Sequence, residues 1–182
     1  YGQYDLAGFP KAAAFWYRTQ WLLTIDDNPD KTFPTNGSHE VHLVESWESP
    51  DSFPSTKGNT TRDIHAYSSA PYVELLVNGK SQGKRNVIPM REGPGSYAEF
   101  LAVPWEAGSI TAIAQDAKGN ELARTSKHTN GKAAKLSLTI DAPSAMTGTG
   151  TSVLLDGQDA ALLRGAIVDE NGRVMHLATN NI

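Results

Sequence analysis

Apolar and polar positions alternate along most of the chain after residue 38, with the two-residue period of β-strands. The strand-like stretches cover residues 39–47, 64–87, 95–105 and 108–129. Within them, Asn78-Gly79 predicts a tight hairpin turn, and Asp116–Asn120 predicts a second turn. Short strands at this spacing favour an all-β sandwich, so we predict a mainly β protein with an immunoglobulin-like β-sandwich.

A second β region follows a polar join at residues 126–134. Residues 135–141, KLSLTID, alternate with Leu136, Leu138 and Ile140 on one face, which predicts a strand. Residues 161–182 predict a strand, a tight turn at Asp169–Gly172 and a last strand. A β unit of about 50 residues buries little of its surface, so we expect an incomplete domain.

The first 25 residues have a different pattern, which predicts a helix from Pro10 to Leu23. Gly8, just before it, is a helix-breaking residue. Its aromatic residues spread around the helix instead of forming one stripe, so a large body of protein is expected to surround it. These aromatic residues are Phe9, Phe15, Trp16, Tyr17 and Trp21. Without that body the helix is expected to dimerise, fold back on a sandwich or aggregate.

These patterns divide the chain into four segments. The predicted segments are a helix at 1–24, an irregular linker with one strand at 25–60, a first β-sandwich at 61–130 with its core beginning near 39, and a second, incomplete β domain at 131–182.

Charge and composition argue against several kinds of partner and site. The net charge is −4 and no basic run occurs, which disfavours a nucleic-acid partner. No apolar stretch is long enough to span a bilayer, so no membrane partner is expected. Cysteine is absent, which excludes disulfides and thiolate metal sites. Sequons at Asn36 and Asn59 predict N-glycosylation and a secreted protein.

Short motifs that suggest chemistry have simpler explanations. His39-Glu-Val-His42 is one residue too short for a zinc peptidase helix, and strand geometry turns its rings to opposite faces. The run from Asp26 to Asp30 lacks the glycine and final glutamate of an EF-hand loop. Glu45 and Glu48 diverge along a strand, so we interpret them as surface groups. We therefore predict no metal, cofactor or catalytic residue.

Aromatic residues leave two interpretations open. A sugar could stack on Trp47, Trp105, Tyr72 and Tyr97, or these aromatic rings could fill the sandwich core, which is the interpretation that we favour. In the first case the chain would be a carbohydrate-binding or lectin-like module, whereas the second leaves a structural domain. An interaction module with exposed strand edges is a third hypothesis.

Three segments resemble glycoside hydrolase family two, the β-galactosidase and β-glucuronidase family. Residues 5–23 are similar to the stretch that leads from the last strand of its catalytic barrel into an aromatic-rich last helix. The matching positions are Asp5, Leu6, Gly8, Phe9, Pro10, Lys11, Tyr17 and Trp21. Residues 66–85 resemble the β-sandwich after the barrel, and residues 154–182 the immunoglobulin-like domain beyond it. Among relatives, the resemblance is nearest to fungal secreted β-galactosidases.

The resemblance implies a C-terminal fragment of a retaining enzyme, whose two catalytic glutamates would lie on barrel strands upstream of residue 1. The fragment would support the barrel and help to shape the substrate cleft, with Tyr4 near the rim of the sugar site. Its expected partners are the catalytic barrel, galactosides or other glycans, and a second copy of itself. Alone, it is expected to hydrolyse no glycoside.

Overall fold

The computed structural model describes residues 2–5, 10–25, 39–87, 97–140 and 163–179. The chain divides into two compact units, Tyr1–Thr129 and Asn130–Ile182. The elements of the first unit are α1 (Ala12–Ile25), β1 (Val41–Leu43), a 3-10 turn (Pro50–Ser52), β2 (Thr61–Ser68), β3 (Tyr72–Val77), β4 (Lys80–Asn86), β5 (Tyr97–Pro104), β6 (Ser109–Gln115) and β7 (Glu121–His128). Those of the second are β8 (Ala133–Ile140) and β9 (Leu163–Asp169).

The first unit contains two antiparallel sheets. A three-stranded sheet has the order β1-β2-β5, and a four-stranded sheet has the order β4-β3-β6-β7. Alternate residues of both sheets form one buried apolar cluster, as expected when two sheets pack face to face. Its larger members are Leu43, Trp47, Ile64, Val73, Leu75, Phe100 and Ile110. The prediction of a mainly β sandwich with one helix is confirmed.

The hairpin between β3 and β4 forms at the predicted dipeptide. Asn78 and Gly79 have φ angles of 49° and 80°, which is the left-handed conformation that this two-residue turn requires. The Asn78 side chain also reaches the loop before β6, where its Oδ1 accepts the Ser109 N–H at 2.8 Å. Its Nδ2 donates to the Ala107 carbonyl at 3.1 Å. The turn is therefore attached to a second loop.

The first strand is shorter than predicted, three residues instead of the stretch 39–47. Its ladder with β2 ends where the Glu45 side chain, rather than another backbone carbonyl, accepts the His65 N–H at 2.7 Å. The chain is irregular after β1, and the Trp47 side chain in this irregular segment is buried in the core. The later half of the predicted linker is thus part of the sandwich.

Helix α1 begins and ends two residues later than predicted and folds back against the sandwich. Ala14 and Thr19 are buried, and the Thr19 hydroxyl donates to the Trp16 carbonyl at 2.7 Å. The other side of the helix is open, with Tyr17 39% exposed and Trp21 58% exposed. Of the three outcomes predicted for a detached helix, the structure has the second.

In the second unit β8 and β9 pair antiparallel, with Ile140 opposite Leu163. Asp169 closes the following turn, because its buried carboxylate accepts the backbone N–H groups of Gly131, Asn171 and Arg173. These hydrogen bonds lower the pKa of the Asp169 carboxyl.

One prediction for this unit, the last strand, is wrong. The strand predicted after Gly172 is reduced, in the described residues, to one bridge between Val168 and Val174, because a further turn follows at once. The strand predicted around Leu136, Leu138 and Ile140 is present as β8, and the three side chains are exposed, since the described strands of this unit form a single two-stranded sheet.

Candidate functional site

Titratable side chains cluster on the outer face of the three-stranded sheet. His65 on β2 lies opposite Glu99 on β5, and Glu45 reaches it from the end of β1. The Glu45 Oε1 atom is 2.7 Å from His65 Nδ1, and Glu99 Oε1 is 3.4 Å from His65 Nε2. One imidazole therefore lies between two carboxylates that come from different strands.

This geometry favours a protonated histidine. Burial disfavours the imidazolium, but the hydrogen bonds and charges of Glu45 and Glu99 outweigh it and raise the pKa of His65. Only the imidazolium donates from both ring nitrogens, so only the charged form satisfies both glutamates. The charged imidazole of His65 on β2 consequently links Glu99 on β5 with Glu45, which follows β1.

A second histidine on the same sheet has the opposite electrostatics. The His42 ring stacks on Phe15 of α1, with ring centroids 3.7 Å apart and planes 5° from parallel. Burial and the charge of Lys127 lower the pKa of His42 to about 4. The neutral imidazole is the stable form at this position.

The cluster around His65 does not have the arrangement that glycoside hydrolysis needs. A retaining pair faces across a cleft about 5 Å wide with a sugar between the carboxyl groups. Here both Glu45 and Glu99 engage the same imidazole, and Glu45 also accepts a backbone N–H. Among the residues that the structure describes, no group of three or more His, Asp or Glu side chains could hold a metal ion. The geometry therefore supports a structural link.

The residues predicted to contact sugar are not brought to one surface. Trp47 is 1% exposed, donates from Nε1 to the Glu106 carbonyl at 3.0 Å and packs on Trp105 at a centroid distance of 6.5 Å. A buried ring offers no face to a sugar. In this structure Trp47 is therefore a core residue, and the predicted sugar contact at Trp47 is not formed by its ring. Trp105 is half-buried beside it. Tyr4 lies elsewhere, 53% exposed and bridged to Pro10.

Of the two sequons, the one at Asn59 lies on the surface of the sandwich unit. Asn59 is exposed two residues before β2, and its backbone N–H donates to the Thr56 carbonyl at 3.0 Å. Asn36 lies outside the described residues. Within the described part of the chain, no helix is both long and apolar enough to cross a membrane.

The contact of His65 with Glu45 and Glu99 was not predicted from the sequence. A signal existed, since His65 and Glu99 both occupy outward positions of strands with alternating burial. Their pairing depends on which strands are neighbours, and strand order is not a local property of the sequence.

Comparison with known proteins connects the fold to a group of enzymes. A family model described as a domain of unknown function, DUF4982, matches residues 59–123. Over 181 residues the chain is 30% identical to a β-galactosidase of Bacteroides ovatus, and this match covers 99% of the chain but 17% of that protein. The chain thus corresponds to a small part of a much longer relative.

Solved structures give a similar result. A β-glucuronidase from glycoside hydrolase family 2 superposes with a TM-score of 0.70 at 26% identity, covering 97% of this chain and 15% of that one. A family 2 member from Bacteroides cellulosilyticus gives a TM-score of 0.71 at 22% identity over 97% of this chain and 22% of its own, which supports the fold alone. Together the matches support a glycoside hydrolase family 2-like domain, homologous to part of bacterial β-galactosidases and β-glucuronidases.

Proposed function

We propose that this chain is a non-catalytic part of a β-galactosidase-like retaining glycoside hydrolase, in which it supports the catalytic barrel and helps to shape the substrate cleft. The observation that carries the proposal is the two-sided helix α1. One side packs on the sandwich through Phe15, and the other leaves Tyr17 and Trp21 open. Large apolar side chains on an uncovered helix face are typical of a surface that another body covers.

The proportions of the matches support the barrel as that body. The relative and the solved structures align with nearly all of this chain, while the chain covers 15–22% of their lengths. A longer polypeptide would therefore place other domains near these residues. The burial of Trp47 argues against the carbohydrate-binding alternative at that position.

A substitution on the open helix face tests the barrel contact. In the complete enzyme that the proposal requires, Trp21→Ser should lower the melting temperature by several degrees and reduce hydrolysis of chromogenic β-galactosides and β-glucuronides. In the 182-residue chain alone it should change stability little, because Trp21 is already exposed. Leu101→Ser, at an exposed apolar position on β5, is the matched control and should be neutral in both settings.

Two results would overturn the proposal. Turnover by the chain alone at a rate comparable to known glycosidases would show that it carries its own catalytic pair. Equal tolerance of Trp21→Ser and Leu101→Ser in the complete enzyme would remove the barrel contact at α1.

We also propose secretion and N-glycosylation at Asn59, for which the exposed sequon next to β2 is the support. The two relatives named above with their organisms are from Bacteroides species, so the fungal origin rests on the sequence resemblance alone. Treatment of the secreted protein with peptide N-glycosidase should reduce its mass, and Asn59→Gln should remove that part of the shift. An unchanged mass in a eukaryotic secretion host would contradict glycosylation.

A further inference from the structure

Helix α1 is held on the outer face of the three-stranded sheet by a ring stack and an ion pair. Phe15 stacks face to face on His42, and Arg18 Nε lies 2.9 Å from Glu40 Oε2. We infer that this contact is an acid-sensitive joint, which holds α1 on the sandwich at neutral pH and releases it in mild acid.

The surroundings of His42 explain why a proton would loosen the joint. Within the described residues its ring contacts Phe15 and Tyr67 and has no hydrogen-bond partner. An imidazolium there would lack an acceptor and would lie near the Lys127 ammonium, which donates to the Val44 carbonyl at 3.2 Å. The aromatic faces would attract the cation, but this attraction is weaker than the cost of desolvating a charge that has no hydrogen-bond partner.

Other titratable or charged groups lie around the joint and must be considered with it. They are Arg18 on α1, Glu40 before β1, Glu45 after β1, Tyr67 on β2 and Lys127 on β7. The titration of Glu40 has the opposite effect on docking from that of His42. Burial raises the pKa of the Glu40 carboxyl more than the charge of Arg18 lowers it. Protonation of Glu40 is therefore favoured in the docked state.

The direction in which His42 makes docking depend on pH follows from its lowered pKa of about 4. The docked state prefers the neutral ring, so its contribution is complete above the ordinary histidine pKa of about 6.5 and is lost as the pH falls toward 4. With an ordinary pKa after undocking, the docking equilibrium would weaken roughly 30-fold at pH 5. Because Lys127 remains near His42 after undocking, we expect about tenfold.

Hydrogen exchange measured by mass spectrometry on the 182-residue chain tests the joint. Amides of residues 12–25 are compared with those of β3 and β6 at about pH 7.5 and pH 5, after correction for the intrinsic pH dependence of exchange. Protection of α1 should fall about tenfold at pH 5 while β3 and β6 keep theirs. His42→Phe keeps a stacked ring without titrating, so its α1 protection should not fall at pH 5.

Two further variants make the result decisive. His42→Gln also lacks the titration and provides the answer if His42→Phe misfolds. Glu40→Gln removes the opposing group and should keep or increase the acid response. The inference is overturned if α1 of the unmodified chain stays protected at pH 5, or if both His42 variants lose protection as the unmodified chain does.

Discussion

Trp47 separates the structural interpretation of this chain from the sugar-binding one. The ring is 1% exposed and its indole N–H donates to the Glu106 carbonyl. Truncation of a buried tryptophan to alanine costs about 3–5 kcal/mol, and loss of the hydrogen bond accounts for about 1 kcal/mol of that range. Domains of this kind are stable by about 5–15 kcal/mol in total, so Trp47→Ala should retain a fold but with a much reduced margin.

Urea denaturation followed by circular dichroism measures this effect. With a urea dependence of about 2 kcal/mol per molar, a loss of about 4 kcal/mol moves the midpoint down by about 2 M. Trp47→Phe keeps most of the ring and should cost about 1–2 kcal/mol, since the Glu106 carbonyl loses its donor. Trp21→Phe is the control, because Trp21 is exposed and its replacement should stay within about 0.5 kcal/mol.

Unfolding of Trp47→Ala at the same urea concentration as the unmodified chain would refute the core position of Trp47. If the same variant also loses a fluorescence response to galactose that the unmodified chain has, the ring is a surface platform for sugar. A lowered midpoint together with an unchanged galactose response supports the core position.

Substitutions at three other positions test parts of the fold. Asn78→Gly keeps the left-handed turn but loses two side-chain hydrogen bonds and should cost about 1 kcal/mol, whereas Asn78→Ala should cost about 2 kcal/mol because alanine disfavours that conformation; thermal melts compare them. Ala102 has a φ angle of 51°, so Ala102→Gly should stabilise the chain by about 0.5–1 kcal/mol in urea titrations, and a loss of stability would show that the strain was misjudged. The raised pKa of His65 means that its stabilisation is complete below pH 6.5 and is lost as the pH rises through the folded value. His65→Gln should therefore show a smaller fall in unfolding free energy between about pH 6 and 8.5, and an identical slope would contradict the ion-pair assignment.

The parts of the fold that depend on local rules could be predicted from the sequence. Alternation identified β3 and β6, and the turn at Asp116 formed because its carboxylate accepts the N–H groups of Lys118 and Asn120. The burial of Trp47 could not be predicted from periodicity, because this residue lies beyond the end of β1 in an irregular segment. The contacts of His65 and His42 could not be predicted either, since each joins residues from different strands or from a strand and α1.

The contact between Asn78 and the loop before β6 has a consequence for sequence variation. Gly108 has a φ of 134°, and a Cβ there would collide with the Asn78 amide. The two positions are distant in the chain yet act as one unit, since any side chain at 108 would displace the amide that fastens the hairpin. Homologues that keep asparagine at the first position should keep glycine at the second, and those that lose one should be free to vary the other.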